Sequence, residues 1–236
     1  MTKAIILLSG GLDSATTCAV AKQQGFELCG ISFNYGQRHH IELQSAQKIA
    51  QSFNISSYKI IDLDLRTFGG SALTADIAVP KNQTIPSVTD NQNNIPITYV
   101  PARNTIFLSY ALAFSELLNC YDIFIGVNAI DYSGYPDCRK DYINAYEKMA
   151  NLALASTINN DKKITIHTPL IDLTKAQIIQ LGLKLHVDYA ITHSCYDPQI
   201  INQTAYACGK CDSCQIRLEG FKKAGSVDPI KYFSSW

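Results

Sequence analysis

The feature that most constrains this chain is an apolar strand that breaks into glycine and restarts as a helix. Ala4–Leu8 is continuously apolar, and Ser9-Gly10-Gly11-Leu12-Asp13-Ser14 leads directly into the helix-like segment Ser14–Gln24, which Gly25 stops. Paired glycines let a backbone turn sharply and approach a ligand with no Cβ between them. The unpaired amides at the start of the following helix, together with the helix dipole, attract an anion. Leu8, Ser9, Gly10, Gly11, Leu12, Asp13, Ser14 and Ala15 are therefore the candidate anion-binding residues. The plain alternative is a strand-to-helix turn with a serine cap.

The rest of the first half repeats this alternation. Leu28–Phe33 and Tyr58–Leu63 read as strands, with a helix at Ile41–Phe53 between them. A β-α-β-α-β order predicts a parallel twisted sheet with helices on both faces. Gly69–Pro96 then loses all periodicity, and is either a lid over a site or a surface insertion. Beyond it the pattern predicts a Thr98–Val100 strand, an Asn104–Leu118 helix, an Asp122–Val127 strand and an Asp141–Ala155 helix. An Ile164–His167 strand and a Lys175–Leu183 helix follow. The expected organisation is an α/β nucleotide-binding domain over residues 1–190 and a small cysteine-rich, zinc-binding segment over 191–236.

Composition excludes several function classes. Over 236 residues, 20 Lys+Arg balance 20 Asp+Glu, so no basic excess points to a nucleic-acid backbone or an anionic membrane. At 47% hydrophobic and 17% charged residues, the chain can bury a core. No apolar run reaches the roughly 20 residues of a membrane helix, and Ala4–Leu8 is too short for a signal-peptide core. The expected location is the cytosol.

What the anion is can be narrowed by motif. Neither Gly-x-x-x-x-Gly-Lys-Ser/Thr nor Gly-x-Gly-x-x-Gly occurs, so a Walker loop and a dinucleotide fingerprint are both missing. Asp13 inside an anion nest makes sense as a partner for a metal ion that travels with phosphates. Ser-Gly-Gly-Leu-Asp-Ser resembles the loop of the PP-loop ATP pyrophosphatases, which holds the pyrophosphate of ATP while a substrate oxygen attacks the α-phosphorus.

Three further motifs follow. In Asn34-Tyr35-Gly36-Gln37-Arg38, the arginine either braces phosphate or is a solvated helix start. In Val100-Pro101-Ala102-Arg103-Asn104, the proline presets a turn. Arg103 and Asn104 then face a ligand, or cap the helix and stay exposed. Asp131-Tyr132-Ser133-Gly134-Tyr135-Pro136-Asp137-Cys138-Arg139 leaves the end of a strand and packs carboxylates, tyrosines and an arginine together. A planar heterocycle can stack on such tyrosines while Asp131 or Asp137 accepts from its edge, and Arg139 can meet a carboxylate. A solvated Gly/Pro-rich turn is the alternative.

In this order the four motifs resemble the 7-cyano-7-deazaguanine synthase family of queuosine biosynthesis over nearly the whole chain. The resemblance implies ATP-dependent conversion of 7-carboxy-7-deazaguanine and ammonia into the nitrile, with Mg²⁺ accompanying ATP. It implies catalytic roles for Asp13, Arg103 and Arg139, and substrate contacts by Arg103, Asn104, Asp131, Tyr132, Asp137 and Arg139. A PP-loop tRNA sulfurtransferase is the competing enzyme, though neutral charge and the lack of an added RNA-binding domain count against it. A homodimer fits the long middle segment and the tethered C-terminus.

Cys195 precedes Cys208-Gly209-Lys210-Cys211-Asp212-Ser213-Cys214, a density of thiols that suits a metal in a reducing compartment. Four thiolates match structural zinc, while Cys-x2-Cys-x2-Cys also suits an iron–sulfur cluster. The family resemblance implies zinc. Either Cys195 or His193 completes the set. His39, His40, His167 and His186 read as structural, and Cys18, Cys29 and Cys120 as buried thiols.

Overall fold

The computed structural model describes residues 1–37, 41–82, 95–130, 134–159, 162–202 and 204–233. Strands β1 (Lys3–Leu7), β2 (Glu27–Asn34), β3 (Ser57–Asp62), β4 (Asp122–Phe124) and β5 (Thr165–His167) form one parallel sheet in the order β3-β2-β1-β4-β5. The helices are α1 (Leu12–Gln23), α2 (Ile41–Ser52), α3 (Arg103–Leu118), α4 (Lys140–Ala153), α5 (Ala155–Asn159), α6 (Lys175–Lys184) and α7 (Asp212–Lys223). The chain runs outward from β1 to β3, then returns to the other side of β1 with β4. That reversal opens a crevice at the carboxyl ends of β1 and β4, where such sheets bind ligands.

Alternation along β1 sorts the helices onto two faces. Ile5 and Leu7 point with Ile31 and Phe33 toward Leu108, Ala111 and Leu112 of α3. Ala4, Ile6 and Leu28 point the other way, toward Cys18 and Ala21 of α1. Because both faces are covered, β1 is apolar and buried from Ala4 to Leu7. Helix α1 is buried on nearly every side, since Ala15 and Ala19 also pack with Ala46 and Ile49 of α2, Ile178 of α6 and Phe221 of α7. Small side chains permit that enclosure. Gly182 of α6 sits where a Cβ would fall 1.8 Å from the Tyr189 hydroxyl, which bonds Thr16 Oγ1 at 2.8 Å.

Most expected elements are found within a few residues. The Thr98–Val100 strand is not: residues 97–98 form a turn. There Tyr99 N donates to the Pro96 carbonyl (2.9 Å) and Arg103 N to that of Val100 (3.2 Å), so the segment satisfies itself locally between two prolines. The strand expected over Asp122–Val127 ends at Phe124, although Ile125 N still bonds the His167 carbonyl at 3.0 Å. The cysteine segment contains elements that periodicity did not reveal, namely the hairpin β6 (Gln199–Ile201)–β7 (Thr204–Tyr206) and α7. Among the described residues, no helix is long and apolar enough to cross a membrane.

Candidate active site

The glycine loop stands at the mouth of the crevice. Gly10 has φ +90°, and a Cβ on it would lie 2.1 Å from the Glu42 carbonyl oxygen of α2, so glycine is required both by conformation and by contact. Gly11 is the residue before α1. Ser14 Oγ donates to the Gly11 carbonyl (3.0 Å) and Ser9 Oγ to Ser14 Oγ (3.1 Å), which curls the loop around its own amides. The segment just before Cys195 closes the loop from outside: His193 N donates to the Gly10 carbonyl (2.9 Å), and Leu12 N to Ser194 Oγ (3.5 Å).

Asp13 lines the cavity, but both its carboxylate oxygens accept from Lys175 Nζ, at 2.7 and 2.8 Å. Lys175 opens α6 and is buried. This cation escaped the sequence reading because it lies far from the loop in the chain and inside a helical pattern. With its charge already matched, Asp13 is not a ready ligand for Mg²⁺ as it stands.

A cavity of about 210 Å³ extends from the loop between β1, β2, β4 and α3. Phe33 and Phe107 stack along it at 4.0 Å with planes 4° apart, and Tyr35 tilts against Phe107 at 5.5 Å. Arg103 and Asn104 enter from the first turn of α3. Burial opposes the Arg103 charge, but Tyr35, Tyr135 and Asp137 outweigh it and raise its pKa, so it is a permanent cation in the wall. Tyr35, facing Arg103, is pushed up to about 12 by burial and by Glu42. Burial also pushes Glu42 up to about 7, against the opposing pull of Arg103. Cys138 reaches about 12 through burial and Asp137, which leaves it an inert thiol.

Within the Asp131–Arg139 turn, Asp137 and Arg139 take different places. Asp137 is buried behind the wall, where its carboxylate accepts the Asn104 backbone N–H (3.1 Å) and its carbonyl accepts Asn104 Nδ2 (3.0 Å). It thus positions Asn104. Arg139 is exposed at the start of α4 and does not line the cavity. Asp131 and Tyr132 lie outside the described residues, as do Arg38, His39, His40 and the Asn91–Asn94 run.

The four expected cysteines converge. Cys195, Cys208, Cys211 and Cys214 are all buried, with sulfurs within 4.8 Å of one another. Backbone amides point at them: Cys208 N donates to Cys195 Sγ (3.1 Å), and Cys211 N (3.3 Å) and Lys210 N (3.4 Å) donate to Cys208 Sγ. Gly209, at φ +68°, makes that tight turn possible. The thiols of Cys195 and Cys214 favour a thiolate at Cys211 and pull its pKa far below the usual thiol range. A metal–sulfur distance of about 2.3 Å sets tetrahedral sulfurs roughly 3.8 Å apart, which this cluster fits. Cys195 is the fourth member; His193 sits at the glycine loop.

With this geometry in place, comparison with known proteins identifies the family. The family model described as queuosine biosynthesis protein QueC matches residues 3–225. A 7-cyano-7-deazaguanine synthase of Paramagnetospirillum magneticum is 57% identical over 99% of this chain and 100% of its own length. The chain belongs to the 7-cyano-7-deazaguanine synthase family. Another relative of that name, from Desulfatibacillum aliphaticivorans, is 57% identical, covering 98% of this chain and 96% of its own. Among solved structures, NMN synthetase from Francisella tularensis matches at TM-score 0.47 and 20% identity, over 82% of this chain and 65% of its own. That distance adds nothing to the family assignment.

One further part of this synthase-family site is absent from any sequence motif. Arg217 of α7 and Asp228 form a bidentate pair (2.7 and 2.9 Å) whose side chains are 2% and 3% exposed. The guanidinium also donates to Thr192 Oγ1 (2.8 Å) and the Tyr189 carbonyl (3.2 Å), and Tyr232 donates to Asp228 Oδ2 (2.6 Å). Ser213 Oγ donates to the Ser194 carbonyl at 2.6 Å. Residues 189–194, which brace the glycine loop, are therefore clamped by the cysteine segment. Residues 71–82 complete the clamp: Leu73 lines the cavity, while Asn82 N donates to the Lys210 carbonyl (2.8 Å).

Proposed function

We infer that this chain makes 7-cyano-7-deazaguanine for queuosine biosynthesis, from 7-carboxy-7-deazaguanine, ammonia and ATP. The observation that carries the reading is the family match over nearly the whole chain, coinciding with an anion loop that opens onto an aromatic, arginine-walled cavity. ATP places its phosphates on the amides at the start of α1, with Lys175 nearby as a cation. The deazaguanine lies along Phe33 and Phe107, and Arg103 holds its carboxylate.

A carboxylate does not exchange oxide for an amine. Its oxygen therefore attacks the α-phosphorus, pyrophosphate leaves, and the acyl carbon now carries AMP as leaving group. Ammonia forms the C–N bond and AMP departs, giving the amide. A second ATP activates the amide oxygen in the same way, and loss of AMP with the remaining N–H protons leaves the nitrile. No protein nucleophile is needed, so the residues act by positioning and charge stabilisation.

Cys195, Cys208, Cys211 and Cys214 are the proposed zinc ligands, and the metal's part is to tie residues 191–236 onto the α/β part, residues 1–190. None of the four lines the cavity, and Cys138, the thiol that does, is kept protonated by burial, which disfavours the sulfurtransferase alternative, where a reactive thiol must reach the substrate. Mg²⁺ enters with ATP, and no residue is assigned to it because Asp13 is paired with Lys175. The reduced thiols such a site needs suit the cytosol. A homodimer belongs to the same reading; exposed Leu117, Leu152 and Ile158 on α3, α4 and α5 offer an apolar face for it.

The deciding assay supplies carboxydeazaguanine, ATP and ammonium to the purified protein. AMP, pyrophosphate and the cyano product are expected. Absence of all three refutes the reading.

A further inference from the structure

Amide formation at neutral pH needs a base, because ammonia is present there almost entirely as ammonium. Ammonium has no lone pair, so a group in the site must take its proton next to the activated acyl carbon. We propose that Glu42 is that group: it receives ammonium in the cavity and deprotonates it between the glycine loop and Arg103. The proposal rests on the synthase reading and adds a catalytic residue to it.

Position argues for Glu42 first. It lies in the first turn of α2 with its main-chain carbonyl against Gly10, so its residue borders the loop that takes the phosphates. Its side chain lines the same cavity as Arg103 and is electrostatically coupled to it. The acyl phosphate must span those two points. Among the described residues, no hydrogen bond or ion pair engages its carboxylate, which is half-buried and open to a cationic guest.

The other titratable groups of the wall are committed elsewhere. Asp13 is paired with Lys175. Arg103 is a permanent cation, and the hydroxyls of Tyr35 and Tyr135 and the Cys138 thiol are all pushed above their ordinary values. His193, whose backbone N–H holds the Gly10 carbonyl, remains as the competing base in the cavity wall. A carboxyl that burial lifts to about 7 is matched to moving a proton at neutral pH.

The step balances. Ammonium gives one proton to the Glu42 carboxylate and becomes ammonia. Its lone pair forms the C–N bond, the C–O bond to AMP breaks, and the nitrogen loses a second proton to water. Glu42 returns its proton to solvent.

The test separates activation from amination in Glu42→Gln and His193→Gln. Glu42→Gln is expected to keep carboxydeazaguanine-dependent ATP–pyrophosphate exchange within about threefold of the parent. Single-turnover amide formation from ammonium at neutral pH should fall by about 100-fold or more. Hydroxylamine, a nucleophile already unprotonated at that pH, should restore acyl transfer in Glu42→Gln to near the parental rate, and alkaline pH should partly restore the ammonium reaction. Equal losses with ammonium and hydroxylamine, a collapse of the exchange reaction, or the same split in His193→Gln but not in Glu42→Gln would each overturn the assignment. If the parent protein shows no exchange with carboxydeazaguanine, the synthase reading itself fails and the assignment falls with it.

Discussion

The anion loop draws on one continuous stretch, Ser9–Ser14, whereas the cysteine site joins Cys195 to a second stretch, Cys208–Cys214, and leans on Asp228 and Tyr232 beyond both. The loop turns its backbone amides outward and is shaped locally, by the missing side chain at Gly10 and the hydroxyls of Ser9 and Ser14. The cysteine site works through side chains that only the folded chain brings together. They meet at residues 192–194, where Arg217 holds Thr192, Ser213 holds Ser194, and His193 and Ser194 hold the loop. The glycine loop is thus held in register by contacts from a distant cysteine-bearing segment.

Removing a cysteine of the cluster has the largest expected effect. Cys214→Ser should reduce zinc content from about one equivalent to none, with amide exchange rising across residues 195–233. Metal binding supplies about 10–16 kcal/mol in small zinc peptides, so this is the largest effect expected. His193→Gln should retain the metal. If Cys214→Ser left exchange unchanged, the cross-link would not be holding the segment.

Arg217→Ala comes next. It leaves the Asp228 carboxylate buried without its cation, a loss of about 3–5 kcal/mol readable in urea unfolding. ATP should also bind more weakly, because residues 192–194 brace the loop. A variant that lost stability yet kept full ATP affinity would uncouple the two regions.

Gly10→Ala strikes the loop itself. Positive φ and a clash with the Glu42 carbonyl together cost about 3 kcal/mol, and pyrophosphate exchange should be lost while zinc is retained. The smallest effect belongs to Arg139→Ala. As an exposed side chain outside the cavity lining, it should change stability by less than about 0.5 kcal/mol and leave turnover near the parental value. A large loss of turnover there would move the carboxylate anchor away from Arg103.

Local features were legible before folding. The apolar Ala4–Leu8 run, the two glycines and the helical spacing after them define β1, the loop and α1, since each depends on neighbours within a few residues. The cysteine density likewise announced the four-thiol cluster that the fold assembles. What escaped were pairings between distant segments. Lys175 looked like the start of one more amphipathic helix, and Arg217 belongs to no motif, yet one neutralises Asp13 and the other is among the most buried side chains.

Tertiary structure alone decided which of the candidate residues share the cavity. In sequence, Arg103 and Arg139 were equal candidates, and Asp137 was a candidate for the edge of the heterocycle. Once α3 enters at the carboxyl end of the sheet, Arg103 points into the cavity while Asp137 is consumed in holding Asn104. Spacing along a chain specifies local dihedrals and amide direction. Which charge meets which depends on how crossovers stack helices around β1 and β4, a three-dimensional fact that no single motif contains.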